Sequence, residues 1–221
     1  MGVTDTAAFF DFDRTLLMTD SARLLIRSLY RRGEVNALFV ANMLSRSWLN
    51  RAGLFPYELV YRYALNGLKG KDIRPFLGDA DLFYRDELKP MLAPGIISRL
   101  RQHQADGHLT VIISGQIRQV LEPMTGDLGL DAVIGTELEV GPDGLMTGRP
   151  RGTMCIGDAK VALAQRLAAE HGVDLGRSYA YTDHYTDLPL LEIVGNPVAV
   201  APEKQLLAES RRRGWPVLGY Y

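Results

Sequence analysis

Two carboxylates, Asp11 and Asp13, close the short apolar run Ala7-Ala8-Phe9-Phe10 and are followed by Thr15. If Ala7 to Phe10 form a buried strand, alternation puts both acids on one side of its carboxyl end and turns Phe12 away. Acids held that close repel each other unless a cation or a shared proton relieves them. The pair therefore points to Mg²⁺, to a nucleophile with an acid/base partner, or to both. Asp and Thr also favour turns and helix N-caps, so this segment alone leaves a purely structural reading open.

Three later stretches add reactive groups at the ends of expected elements. The run Leu109 to Ile113 ends in Ser114-Gly115; Lys160 opens an expected helix, Val161 to Glu170; Ser178 to Thr182 ends in Asp183-His184-Tyr185-Thr186-Asp187. Each has an ordinary explanation. A serine before glycine can cap a helix, most lysines are solvated, and aspartates populate turns. The segment Gly157-Asp158-Ala159-Lys160 is not a nucleotide-binding P-loop, because the Gly-Lys-Ser/Thr sequence is missing.

Taken in order, carboxylates, hydroxyl, lysine and carboxylates, the chain resembles the haloacid dehalogenase superfamily of phosphohydrolases. It is most similar to the phosphoserine-phosphatase-like branch, and Asp183 to Leu191 is the most specific stretch. The resemblance spans about Ala7 to Leu218. It implies Mg²⁺ as cofactor, with Asp11 as nucleophile and metal ligand, the Asp13 backbone carbonyl and Asp183 as further ligands, and Asp187 orienting water on the metal. Asp13 would serve as general acid and then base, Lys160 would neutralise the phosphate and Asp11, and Ser114 would bind a phosphate oxygen with the amides near Phe12, Asp13 and Gly115.

The substrate implied is a small phosphate monoester, such as phosphoserine or a related phosphorylated amino acid or polyol. Departures from the family pattern lie around it. Arg14 follows the second aspartate, where the family often has glycine or serine, and could meet the substrate, the insertion or a surface acid. Thr182 and His184 flank Asp183, and a solvent-facing loop is the expectation for His184. Asp20 stands nine residues after Asp11, where phosphoserine phosphatases use glutamate to read an amino group. The arginine that would hold a substrate carboxylate has six candidates: Arg23, Arg27, Arg46, Arg51, Arg62 and Arg74. Alternatives are phosphoryl transfer to an acceptor other than water, or a catalytically silent binding protein on the same fold.

The elements that must position these groups form an α/β pattern. Helical periodicity covers Ser21 to Arg32, Glu34 to Asn50, Tyr57 to Leu68 and Lys71 to Leu88, an inserted unit. Pro90 and Pro94 then bracket a return to alternation: helix Ile96–Gln104, strand Leu109–Ile113, helix Ile117–Met124, strand Ala132–Ile134, the helix after Lys160, and strands Tyr179–Thr182 and Val198–Ala201. Such alternation implies a Rossmann-like parallel sheet with ligands at its carboxyl edge. Gly141-Pro142-Asp143-Gly144 signals a hairpin beside that sheet. The expected division is a core, 1–17 and 91–221, and a helical cap, 18–90. The stripe Val35, Leu38, Phe39, Asn42 and Met43 is expected to be buried within the cap.

Composition agrees with a soluble enzyme. In 221 residues, 47% are apolar, enough for an ample core, and the net charge of −1 supplies no general attraction to nucleic acid or an anionic membrane. A stable membrane association is not expected: Ala37 to Leu44 is far too short to span a bilayer. One cysteine, Cys155, excludes an internal disulfide and fits a reducing, cytoplasmic setting. Four histidines lack zinc-site spacing. The opening residues lack a signal-peptide pattern, and their loose match to a myristoylation motif reads as coincidence. The sequence leaves the oligomeric state open.

Overall fold

The computed structural model describes residues 5–221, the side chain of Arg51 excepted. The opening motif at Met1–Thr4 thus lies outside the described residues. Strand β1 (Ala7–Phe10) is followed by helices α1 (Ser21–Arg31), α2 (Ala37–Arg51), α3 (Tyr57–Asn66) and α4 (Ile73–Phe83), the last running into a π-helical turn at Tyr84–Leu88. Alternation then resumes with α5 (Pro94–Ala105), β2 (Leu109–Ile117), α6 (Arg118–Leu121), α7 (Pro123–Leu128) and β3 (Ala132–Thr136). A hairpin, β4 (Leu138–Val140) and β5 (Met146–Pro150), precedes α8 (Asp158–His171), β6 (Tyr179–Thr182), α9 (Leu188–Ile193), β7 (Asn196–Val200), α10 (Lys204–Arg213) and β8 (Val217–Leu218).

Six strands pair in parallel in the order β3-β2-β1-β6-β7-β8. The chain winds outward from β1 in one direction through β2 and β3, and in the other through β6, β7 and β8. The crevice beyond the carboxyl end of β1 is therefore a topological switch point, where open parallel sheets bind ligands. Strand β1 is buried on both faces, as a parallel strand covered by helices must be. Ala8 and Phe10 pack with Ile96 and Leu100 of α5 and with Leu25 and Leu29 of the helical insertion. Ala7 and Phe9 pack with Ala164 and Leu167 of α8, Leu190 and Leu191 of α9, and Leu206 of α10.

Side-chain caps start three of the inserted helices, α1, α2 and α4. Asp20 accepts from the Arg23 amide (3.0 Å), Asn36 from that of Phe39 (2.8 Å) and Asp72 from that of Arg74 (2.9 Å). Several expectations need adjustment. Strand β2 continues past Ile113 to Ile117, with an irregularity in its pairing to β3 at that point. The helix expected over Ile117–Met124 is two short helices, because Pro123 cannot donate within a continuing ladder. Val217–Leu218 adds an edge strand. The β4–β5 hairpin forms its own sheet and is bonded to the insertion, Gly70 N–H donating to Met146 O and Met146 N–H to Lys71 O (2.8 Å each).

The apolar stripe of α2 is not buried as expected. Met43 is buried, but Leu38 is 70% exposed, and Leu44 and Trp48 also face solvent. Only the Met43 side of α2 meets its neighbours, with Phe39 and Val40 half-covered.

Candidate active site

Sheet register brings the motif ends together. Phe10 pairs with Ile112 of β2 and with Tyr181 of β6, so Ser114 and Asp183 stand level with Phe12, one residue beyond Asp11. The Asp11 amide continues the ladder by donating to Tyr181 O (2.9 Å). Past it the chain turns back: the amides of Leu16 and Leu17 donate to the carbonyls of Asp11 (3.3 Å) and Phe12 (2.9 Å). Among the described residues the amides of Phe12 and Asp13 donate to no backbone carbonyl, and the Phe12 amide turns towards the Asp11 carboxylate, whose ionised form it favours. Phe12 itself is fully buried in the core, turned away from the acids as the alternation required.

Lys160, in the first turn of α8, is the one buried lysine or arginine among the described residues. Its Nζ donates to Asp11 Oδ1 and to Asp187 Oδ2, both at 2.7 Å. Burial alone would drive the ammonium towards its neutral form, yet Asp11 and Asp187 together outweigh it and hold the lysine charged. Thr182 Oγ1 donates to the same Asp187 oxygen at 2.8 Å. Asp187 is thus fixed by direct contacts, and this threonine, at a position where the family often has glycine, acquires a task that sequence reasoning missed.

The remaining charge is unbalanced. Asp11, Asp13, Asp183 and Asp187 surround one ammonium, and burial followed by mutual repulsion raises three of them. Asp11 is pushed up to about 6, against the pull of Lys160; Asp13 to about 7, with Asp20 adding to burial; Asp183 to about 8, with Asp11 adding to burial. A cation among Asp11, Asp183 and the Asp13 backbone would relieve this repulsion. No three acidic, histidine or cysteine side chains form a complete cage among the described residues. Two carboxylates and a carbonyl suit Mg²⁺, which keeps several waters and seldom takes an all-protein cage.

Ser114 lies within β2 and is buried, which removes the helix-cap reading, since α6 begins only at Arg118. Its Oγ accepts from the Gln116 amide (3.2 Å). Gly115 leaves space for the chain after β5: a Cβ there would stand 3.0 Å from Ile156 Cγ2. Gln116 was not foreseen. Its Nε2 donates to Ser21 Oγ (2.5 Å), and the Ser21 amide donates to Asp13 Oδ1 (2.5 Å). A chain of hydrogen bonds so joins the tip of β2, the first residue of α1 and the acid/base candidate. Its sequence signal is faint, a glutamine two residues past Ser114 and a serine next to a capping aspartate.

Of the substrate-side candidates, Asp20 is half-buried, caps α1 and lies close enough to Asp13 to raise it. Arg14 is exposed, yet its charge opposes the rise of Asp183. His184 occupies the loop expected of it, its Nδ1 accepting from the Thr186 amide (3.2 Å). Three of the candidate arginines have partners of their own: Arg62 pairs with Glu58, Arg74 with Asp72, and Arg46 stacks over Tyr63 at 4.3 Å. Tyr57, at the start of α3, is a further residue that sequence reasoning missed. Burial raises its phenol, and Asp13 and Asp20 raise it further, so its hydroxyl lies in the field of the site although half of the residue faces solvent.

Comparison with known proteins agrees with this geometry. The family model for haloacid dehalogenase-like hydrolases matches residues 8–192. The "Inhibition of morphological differentiation protein" of Streptomyces azureus is 33% identical over 98% of this chain and 79% of its own length. The "Histidinol-phosphatase" of Neisseria meningitidis serogroup C is 30% identical over 96% of this chain and 98% of its own. A phosphoserine phosphatase solved as a phospho-aspartyl intermediate analogue superposes with a TM-score of 0.71 at 18% identity, over 99% of this chain and 94% of that one. With the ordered motifs gathered at the switch point of a parallel sheet, the chain belongs to the haloacid dehalogenase-like hydrolases.

Proposed function

We propose that this protein is a Mg²⁺-dependent phosphatase that hydrolyses a small phosphate monoester through an aspartyl-phosphate on Asp11. The observation that carries the reading is the buried lysine shared by Asp11 and Asp187 among an excess of carboxylates. A phosphate ester is itself an anion, so an anionic nucleophile can approach it only where positive charge is already fixed. Lys160 supplies one such charge. Asp11, Asp183 and the Asp13 carbonyl would hold Mg²⁺, whose Lewis acidity supplies the rest.

Asp11 forms its bond to phosphorus as the ester P–O bond breaks, and the departing alkoxide takes a proton from Asp13. A carboxyl held near 7 is partly protonated at neutral pH, as this step requires. Asp13, now ionised, removes a proton from the water that attacks the acyl-phosphate. Inorganic phosphate leaves and Asp11 is restored. Ser114 and the amides of Phe12, Asp13 and Gly115 receive the phosphate oxygens.

The helical insertion, 18–90, acts as a cap that selects the leaving group over the core formed by 1–17 and 91–221. Asp20 beside Asp13, Arg14 and the Tyr57 phenol favour a phosphorylated amino acid, amino alcohol or polyol. The Neisseria relative, named histidinol-phosphatase, points the same way. The lone buried Cys155 suits a cytoplasmic setting, and no helix among the described residues is long and apolar enough to cross a membrane.

A phosphate-release screen over phosphorylated amino acids, amino alcohols, polyols and sugars tests the assignment. Release is expected with Mg²⁺ and not with excess chelator. Asp11→Asn should lower turnover at least about a thousandfold with the fold retained, and beryllium fluoride should form an adduct on wild-type Asp11. Turnover by Asp11→Asn within a few-fold of wild type would remove the covalent mechanism.

A further inference from the structure

Two segments cross between the sheet and the helical insertion, one leaving after Asp13 and one returning before α5. They run side by side: Met18 N–H donates to Met91 O and Ala93 N–H to Leu16 O, both at 2.8 Å, and Leu17 bridges Leu92 in antiparallel fashion. At the root of the outgoing segment, Arg14 has a φ of 55°, left-handed backbone that burdens any residue with a Cβ. Such a conformation persists only where neighbours hold it. The Arg14 amide donates to Thr19 O (3.1 Å), and its carbonyl accepts from the Tyr220 hydroxyl (3.0 Å).

Tyr220 also reaches the root of the returning segment. Its own carbonyl accepts from the Gly95 amide (2.7 Å) in the first turn of α5. The approach is so close that a Cβ on Gly95 would stand 2.9 Å from that carbonyl oxygen and 3.0 Å from the Tyr221 carbonyl carbon. One residue beyond the edge strand β8 therefore touches both crossing segments where they meet the core. The residue it holds on the outgoing side is the one next to the acid/base candidate.

We propose that Tyr220 is a positioning residue for Asp13, its hydroxyl holding the left-handed turn at Arg14 while its carbonyl locks that turn to the start of α5. Without the hydroxyl, Arg14 can relax towards ordinary φ values and carry the Asp13 carboxyl out of line with the leaving oxygen. Small misplacements of this kind lower turnover much more than binding. The catalytic consequence rests on the phosphatase reading above; the clamp itself does not.

The experiment pairs kinetics with amide hydrogen exchange on the full chain. In Tyr220→Phe, exchange across residues 12–18 should rise at least about fivefold while α10 is unchanged. With the best alkyl phosphate, kcat should fall about five- to twentyfold and KM stay within about twofold. Glycine adopts left-handed φ without a Cβ penalty, so in an Arg14→Gly background the further loss caused by Tyr220→Phe should shrink to under about twofold. Unchanged exchange at 12–18, or an equal rise in α10, would overturn the clamp. An undiminished kinetic penalty in the Arg14→Gly background would overturn the positioning role. Should the wild type release phosphate from no ester, the phosphatase reading fails, and the exchange measurement still decides the clamp.

Discussion

The sheet edge and the helical insertion face the same crevice but are built to different tolerances. On the sheet side Asp11, Ser114, Lys160, Asp183 and Asp187 each keep 7% or less of their surface, and direct contacts tie Lys160 to two of the acids. The insertion has a buried seam, including Leu25, Leu29, Leu65 and Phe76, but leaves Leu38, Trp48 and Leu54 largely in solvent. Tyr57 meets the field of the site from a helix end that is half open. A reaction centre that must hold several charges in low dielectric requires rigid burial, whereas a surface that reads one leaving group among many does not. On the proposed reading, chemistry and selectivity are carried by regions of different packing, and substitutions on the two sides should differ in kind.

The largest effect is expected on the sheet side. Lys160→Met keeps the volume and removes the charge, and should lower kcat about a hundred- to thousandfold. It should also push the Asp11 carboxyl above its present value of about 6, because the lysine is what opposes burial there. Carboxyl titration by NMR would detect the shift. Turnover within about tenfold of wild type, well short of the loss that removal of a single preorganised donor causes, would place the essential charge elsewhere.

A smaller effect concerns stability without any substrate. Asp11, Asp13 and Asp183 are raised to about 6, 7 and 8 from an ordinary 3.8, so the folded protein binds more protons than the unfolded chain in this range. Stability of the metal-free protein must then fall as pH rises through that window. Between about pH 7 and about pH 8.5 the melting temperature should drop by roughly 2–4 °C, above the range where buried His103 contributes. Saturating Mg²⁺ should abolish the drop, since a cation binds the ionised acids. Equal slopes with and without Mg²⁺ would sink the proposed metal site.

The smallest effect belongs to the insertion. Tyr57→Ala should raise KM for the preferred substrate about three- to tenfold and leave hydrolysis of a generic aryl phosphate nearly unchanged, the pattern of lost leaving-group contact with intact chemistry. Equal losses on both substrates would make Tyr57 part of the reaction centre and blur the division between the two regions.

The same division explains what could be read from the chain. Strand β1, the hydroxyl after the apolar run of β2, the lysine opening α8 and the acids after β6 were legible because apolar runs ending in polar groups leave a local trace. The insertion's helices were legible too, through their 3.6-residue periodicity, but not which faces they cover: Leu38 and Met43 look alike in sequence and differ completely in exposure. Contacts across long separations left no trace. Gln116 with Ser21, 95 residues apart, and Tyr220 with Arg14, 206 apart, depend on packing that no local pattern encodes. Pro123 was visible, yet the helical period either side of it hid the break.

Ser21 has a consequence for protein engineering. It is the first residue of α1 and the donor of the amide that Asp13 Oδ1 accepts. On the proposed reading, a chimera that grafts another helical insertion after residue 17 would exchange leaving-group contacts and, with them, the donor that lowers Asp13 against burial. Such a graft transplants a pH optimum together with a specificity, unless the first turn of the incoming helix presents an N–H at the same place.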